Sequence, residues 1–264
     1  GALGNLASPG SATPGMLYAI LRAYYWENNF MRLITWNCNM AFRNKCESIM
    51  RFDPDLLIIQ ECENPEKVIF KDLKKPLIDA IWVGDNKHKG LAVFSFSYKI
   101  KIPKFYNPEH KYILPIKFNN SYILAVWAMN DKINPERRYI AQIWSALNEY
   151  KKYLKDDIII IGDFNSNKIW DNDKPYRIAN HSQVVEYLNN YNIISLYHEL
   201  NREDQGNESV NTFYLYRKKN KGYHIDYCFI SNNLINNISN FRIGKFNEWI
   251  NLSDHCPLIL DINY

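Results

Sequence analysis

The 264-residue chain is 47% hydrophobic and 15% aromatic, which is ample for a sizeable core, and no linker-like stretch divides its interior. A formal charge of +4 permits a polyanionic partner without demonstrating one, because charge balance informs association and not fold. Five cysteines with no C-x-x-C pair argue against a closed disulfide framework and point to a reducing, cytoplasmic setting, and no apolar segment approaches membrane-spanning length.

In chain order, residues 1–15 are an uncharged mixture rich in glycine, alanine, serine and proline, read as a flexible leader or a remnant of cloning. Residues 16–30 carry Leu17, Ile20, Leu21, Tyr24 and Tyr25 at helical spacing, which predicts a short helix of unreadable role. Residues 31–264 form the remaining unit. It opens with Arg32-Leu33-Ile34-Thr35-Trp36-Asn37, a strand ending in an amide. Residues 43–52 read as a helix, and Leu56-Leu57-Ile58-Ile59-Gln60-Glu61 then repeats the pattern, a buried strand stopping at a glutamate. Two strands joined by a helix favour parallel pairing, which brings Asn37 and Glu61 to one sheet edge.

From Lys89 the texture turns antiparallel. Residues 90–95, 112–118 and 122–127 are strand-like, Asn119-Asn120-Ser121 is a hairpin turn, and Pro115 marks the middle strand as an edge. Residues 135–154 place Ile140, Ile143, Trp144, Leu147, Tyr150 and Leu154 at three-to-four spacing, an amphipathic helix. It feeds Ile158-Ile159-Ile160-Ile161-Gly162-Asp163-Phe164-Asn165. Consecutive isoleucines describe a strand buried on both faces, and Gly162 lets the backbone turn where it ends. Asp163 and Asn165 project to the same side if the strand continues extended. A carboxylate there is costly unless it is hydrogen-bonded, paired or metal-bound; an ordinary Gly-Asp turn is the other reading. A helix over 182–191, a polar loop over 201–209, a strand over 211–216, a basic turn over 217–222 and strands over 223–231 and 258–262 complete the chain.

Each strand end alone fits a solvated terminus. Together Trp36-Asn37, Gln60-Glu61, Gly162-Asp163-Phe164-Asn165, His224-Ile225-Asp226-Tyr227 and Ser253-Asp254-His255-Cys256-Pro257, in that order, resemble the endonuclease/exonuclease/phosphatase superfamily, which includes exonuclease III-like and deoxyribonuclease I-like nucleases. The resemblance runs from about Arg32 to the C-terminus. It implies an α/β fold, a four-layered sandwich of two packed mixed β-sheets flanked by helices, with the site at one edge. Apolar strands that need cover on both faces agree with that.

Such residues suit hydrolysis of a phosphate ester, which needs a cation on the phosphate oxygens, a base beside water and donors for developing charge. Carboxylate and amide oxygens without thiolate clustering favour Mg²⁺, or Mn²⁺, over Zn²⁺. The resemblance implies Glu61 as principal metal ligand with Asn37 and Asp254 assisting. It implies Asp163 as the residue that orients and deprotonates water, with Asn165 holding that water and the phosphate. His255 would donate to the phosphoryl oxygen, and Asp226 would accept from its other ring nitrogen and fix the tautomer. Asp226 also fits an outward strand position, and Asp254-His255 a cap. Cys38, Cys62 and Cys256, each next to a site residue, read as small core side chains pointing the other way.

One position departs from the family. Nuclease members usually carry a histidine or tyrosine after the strand before the long helix, where this chain has Trp127, which cannot titrate. Metal-bound water, Asn130 or Lys132 are the candidates for serving the leaving oxygen there; reduced activity is the other outcome. Phe213, Tyr214 and Tyr223 resemble in position the aromatic segments that shape a nucleotide pocket, and residues 217–221 could meet a phosphate backbone. The leading expectation is a Mg²⁺-dependent nuclease with a nucleic-acid partner, DNA favoured, and no membrane association. A phosphatase or phosphodiesterase for a small soluble phosphate ester, and a binding module with a decayed site, are the alternatives.

Overall fold

The computed structural model describes residues 30–263. The expected leader and nearly all of the expected helix over 16–30 lie outside these residues; Phe30 itself opens the first strand. In chain order the strands are β1 (Phe30–Asn37), β2 (Leu56–Cys62), β3 (Asp79–Asn86), β4 (Lys89–Ser95), β5 (Ile100–Lys101), β6 (Ile113–Phe118), β7 (Ser121–Trp127), β8 (Ile158–Asp163), β9 (Ile193–Ser195), β10 (Phe213–Tyr214), β11 (Gly222–Tyr223), β12 (Asp226–Ser231), β13 (Ile238–Ile243) and β14 (Leu258–Asn263). The α-helices are α1 (Cys46–Met50), α2 (Ile140–Tyr150), α3 (His181–Asn189), α4 (Leu196–Asn201) and α5 (Phe246–Trp249).

Two six-stranded mixed sheets result, ordered β13-β14-β1-β2-β4-β3 and β5-β6-β7-β8-β12-β9, with β10-β11 as a separate ribbon. Each sheet has one parallel pair at its centre, β1 with β2 and β7 with β8, flanked by antiparallel partners. The isoleucine run shows why these strands carry no polar face. Ile159 and Ile161 point between the sheets against residues such as Leu33, Ile58, Val93 and Leu114, while Ile158 and Ile160 point outward under Ile143 and Leu147 of α2 and Val184 and Leu188 of α3. The other outer face, with Trp36, Leu57 and Ile59, is covered by Phe42, Ile49 and Trp249. Helix, sheet, sheet, helix is the expected layering. Cys38, Cys62 and Cys256 pack in that last cluster as small apolar residues.

Local departures have physical causes. The helix expected over 43–52 is a 3₁₀ turn, Phe42–Asn44, followed by the short α1. Glu63 tethers its start by accepting from the Phe42 and Arg43 N–H groups, at 2.8 and 3.0 Å. The helix expected over 135–154 is interrupted at Tyr139, whose φ is 53°, so that α2 is flanked by 3₁₀ turns. Asn180 and Gln183 form a capping box that starts α3 one residue earlier than expected. The strand expected over 211–216 shrinks to β10, and that over 223–231 splits, because β11 pairs with β10 while β12 pairs with β8. Strands β3, β5, β9 and β13 were not anticipated; β3 and β13 are partly exposed edges, β5 has two residues and β9 three. The strand carrying Pro115, expected at an edge, lies second in its sheet between β5 and β7; β5 pairs only with Lys117 and Phe118, so Pro115, paired with Leu124, faces no partner strand on its other side.

Candidate active site

Strands β1, β2 and β8 end, and β12 begins, at one edge of the sandwich. The register sets Asn37 beside Gln60 and Asp226 opposite Asp163. Strand β2 does not finish straight: its ladder with β4 carries a bulge between Gln60 and Cys62, and Glu61 adopts a φ of 59°. A bulge re-aims the side chain it displaces. Asn37 Nδ2 consequently donates to both carboxylates, to Glu61 Oε1 at 3.3 Å and to Asp163 Oδ2 at 3.0 Å.

At Gly162 the φ is 143°, and a Cβ would lie 2.0 Å from the Val126 carbonyl oxygen. Glycine alone lets β8 run this close to β7 immediately before Asp163. Beyond Asp163 the chain turns instead of staying extended: Asn165 has a φ of 46°. Its backbone N–H donates to Asp163 Oδ1 at 2.9 Å, and its Nδ2 donates to the Ala128 carbonyl at 2.9 Å and to Asp163 Oδ2 at 3.2 Å. The two residues therefore meet through a turn and not through strand alternation.

His255 joins them from the loop before β14. Its Nδ1 lies 2.9 and 3.2 Å from the two Asp226 oxygens, and its Nε2 faces Asp163 Oδ2 at 3.9 Å. With Nδ1–H committed to Asp226, Nε2 is directed into the site. Three contacts hold this loop in place. Ser253 Oγ donates to the Asn37 carbonyl at 2.7 Å and accepts from the His255 N–H at 3.1 Å, and Trp36 Nε1 donates to the His255 carbonyl at 2.9 Å. Thr212, fully buried, accepts at Oγ1 from the Ile225 and Asp226 N–H groups, both at 3.0 Å, and its carbonyl accepts from Cys256 N–H at 2.7 Å. The signal for Ser253 was present in Ser-Asp-His; Thr212 had none, because its partners are distant in sequence.

Burial pushes the Asp163 carboxyl up to about 7, Asp226 adding to the rise and His255 opposing it. Burial pulls His255 down, but Asp226 and Asp163 outweigh it and hold the imidazole up, at about 10. Asp163, Asp226 and His255 offer ligand atoms within 4.8 Å of one another. Glu61 is joined to Asp163 through Asn37, and Lys45 feels the charges of both Glu61 and Asp254. This concentration of carboxylate and amide oxygens, without a thiolate, fits a hard divalent cation. Glu61, Asn37 and Asp254 could hold it.

The remaining expected residues separate. Phe213 lies beside the site, its ring 4.7 Å from His255 and stacked 6.5 Å from Tyr223. Tyr214, expected to touch substrate, is turned away by strand alternation and packs in the core against Phe246, 4.6 Å between centroids. Asn130 and Lys132 are exposed in the loop after β7 and form no hydrogen bond or ion pair with Asp163, Glu61 or His255 among the described residues. Trp127 closes β7 in register with Asp163 and is buried. Lys89, which carried no expectation, pairs with Glu61 Oε2 at 3.3 Å.

The sequence pattern of the Endonuclease/Exonuclease/phosphatase family matches residues 34–255, which span every segment of this site. The chain belongs to the endonuclease/exonuclease/phosphatase family. It is an enzyme of that hydrolase family by this match. A DNA-(apurinic or apyrimidinic site) endonuclease of Dictyostelium discoideum is 24% identical over 272 positions, covering 90% of this chain and 72% of the relative. Among solved structures, a 3′ phosphatase from Neisseria, NExo, bound to product DNA hairpin, superposes with a TM-score of 0.62 at 16% identity, over 89% of this chain and 100% of that one. An AP endonuclease from Archaeoglobus fulgidus gives the same four values. These structures share the family's sandwich. No helix among the described residues is long and apolar enough to cross a membrane.

Proposed function

We propose that this protein is a divalent-metal-dependent nuclease that hydrolyses a phosphodiester of DNA. The observation that carries the reading is the buried Asp163–His255–Asp226 constellation, with His255 Nδ1 locked on Asp226 and Nε2 aimed past Asp163, adjoining the Glu61–Asn37 pair. A metal ion held by Glu61, Asn37 and Asp254, Mg²⁺ or Mn²⁺, supplies positive charge at the phosphate oxygens when bound. Asp163 takes the proton of the attacking water; its raised pKa brings it near the operating pH, where a general base works best. Asn165, fixed on Asp163 and the Ala128 carbonyl, holds the water and the phosphate in line. His255, kept cationic by its two aspartates, donates through Nε2 to the developing charge on a non-bridging oxygen.

Support for a DNA substrate comes from the Dictyostelium relative and the Neisseria neighbour, whose descriptions specify DNA, and from the Archaeoglobus AP endonuclease. The paired faces of Phe213 and Tyr223, partly exposed beside His255, suit the wall of a pocket for a sugar or base. Duplexes that are intact, nicked or carry an abasic site, and single strands, assayed with Mg²⁺, with Mn²⁺ and with chelator against sugar, inositol and nucleotide phosphates, test the reading. Metal-dependent cleavage of an oligonucleotide is expected; turnover confined to the small phosphate esters overturns it.

A further inference from the structure

Lys89 opens β4 at the rim of the site, and the hairpin beneath it is stiff. Trp82 Nε1 donates to the Cys62 carbonyl at 3.1 Å, which ties β3 to the end of β2. A Cβ on Gly90 would lie 2.4 Å from the Val83 carbonyl oxygen and 2.6 Å from the Trp82 indole, so the backbone beside Lys89 is clamped between its neighbours. Opposite this point Glu61 bulges out of the ladder. The two side chains are thereby brought together: Lys89 Nζ is 3.3 Å from Glu61 Oε2 and 5.4 Å from the centroid of the Trp127 ring.

This ammonium is held on two sides and remains open on the third. Its partners among the described residues are one carboxylate oxygen and one indole face, and its side chain is 37% exposed. Three N–H donors are more than those partners use. The other lysine near Glu61 is already committed: Lys45 donates to the Cys38 and Asn39 carbonyls at 2.6 and 3.1 Å, and burial lowers its pKa. Asn130 and Lys132 are exposed and form no hydrogen bond or ion pair with these carboxylates among the described residues. Lys89 is thus the basic side chain that the fold delivers to the open rim of the carboxylates.

We infer that Lys89 is a phosphate-binding residue of this site, resting on Glu61 when no anion is present and donating to an oxygen of the bound phosphate when Glu61 engages the cation. The inference rests on the nuclease reading above. Lys89 acts through its charge and its N–H donors alone, with no bond to it made or broken; Trp127 cannot exchange a proton, but its face orients the ammonium. Arginine at this place keeps the charge and loses the compact shape, whereas methionine keeps the length and loses the charge.

The test measures binding of a fluorescein-labelled duplex with one abasic-site analogue, by anisotropy in Mg²⁺, from about 50 to 200 mM salt. Lys89, Lys89→Met and Lys89→Arg are compared in an Asp163→Asn background that blocks turnover. Methionine is expected to flatten the slope of log K against log salt by about 0.9, the contribution of one phosphate contact, and arginine to restore it. In the Asp163 background the methionine variant is expected to lose on the order of 100-fold in turnover at saturating DNA. An unchanged slope, or a change confined to thermal stability or to the Mn²⁺ midpoint, overturns the inference and leaves Lys89 as a neutraliser of Glu61. Should methionine prevent folding, Lys89→Gln carries the same comparison. Lys89 protein that neither binds nor cleaves the duplex overturns the nuclease reading itself, a result distinct from equal slopes.

Discussion

Asp226 meets His255 Nδ1 with both carboxylate oxygens, and it is itself fixed by a backbone N–H bound to Thr212 Oγ1. A carboxylate accepts on every lone pair, so the imidazole has one way to stand: N–H toward Asp226, Nε2 toward the site. An amide there could present its NH₂ to Nδ1 and reverse the tautomer. Asp226→Asn is predicted to lower kcat for metal-dependent cleavage about 100-fold or more with little change in KM, while circular dichroism stays that of the unaltered protein. Near-normal kcat would show that the orientation of His255 does not matter to the reaction. That Asp163, Asn165, Asp226 and His255 meet at one edge was legible in sequence, because each sits in a short motif at a strand end. Lys89 was not, since its place depends on a bulge at Glu61 and on the packing of Trp82. Tyr214 was misjudged because an aromatic pair on a strand contributes one side chain to each face.

Two elements hold the site's floor, and each makes a separate prediction. Strand β8 owes its approach to β7 to Gly162, whose φ of 143° and 2.0 Å clearance leave no room for a methyl group. Gly162→Ala is predicted to cost at least about 4 kcal/mol in urea unfolding, a strained backbone adding to the overlap. A loss below about 1 kcal/mol would mean that β7 and β8 part easily. The polar loop after α4 works differently, through buried charge. Glu208 is lifted by burial, but His198, the Gly206 N–H and Asn167 bind its carboxylate and hold it at about 2. His224, two residues before Asp226, is pulled by burial down to about 4, and its Nδ1 lies 2.7 Å from the Val210 carbonyl.

The sign follows from comparing folded with unfolded values. His224 titrates near 6.5 unfolded, so between about 6.5 and 4 the unfolded chain binds the extra proton and stability falls as pH falls. Glu208 titrates near 4.3 unfolded, so its contribution is complete above that value and is lost on the way down to about 2. Asp163, held up at about 7, works the other way, because the folded chain takes its proton first as pH falls, so it offsets His224 over this range; the decline in stability measured by urea unfolding is expected below about pH 4.3, where Glu208 titrates. Glu208→Gln should remove the part of the decline below about pH 4.3, on the order of 3 kcal/mol. A variant with the unaltered protein's pH profile would remove Glu208 from the account. In sequence this loop shows only its polarity, because the histidines and glutamine that make it a buried network are spread from Asn167 to Tyr227.

At the scale of the molecule, the four isoleucines of β8 already describe the architecture. A strand apolar on both faces demands a second sheet on one side and helices on the other, and that is where Ile159 and Ile161, and Ile158 and Ile160, are found. The parallel pair β1–β2 was legible from the helix between its strands; β3, β5, β9 and β13 were not, because short or half-exposed edges carry little pattern. The two sheets bring together at a single edge segments from opposite ends of the sequence, as the contacts of Trp36 with His255 and of Ser253 with Asn37 show. We propose that this edge is one catalytic centre with Asp163 at its heart. Single-turnover cleavage of an abasic-site duplex by the protein and by Asp163→Asn, each with Mg²⁺ and with chelator, tests it most directly. Cleavage by the unaltered protein with Mg²⁺, none with chelator, and a loss of about 1,000-fold or more in the variant with its fold intact are expected; cleavage by Asp163→Asn at the unaltered rate would remove Asp163 from the chemistry.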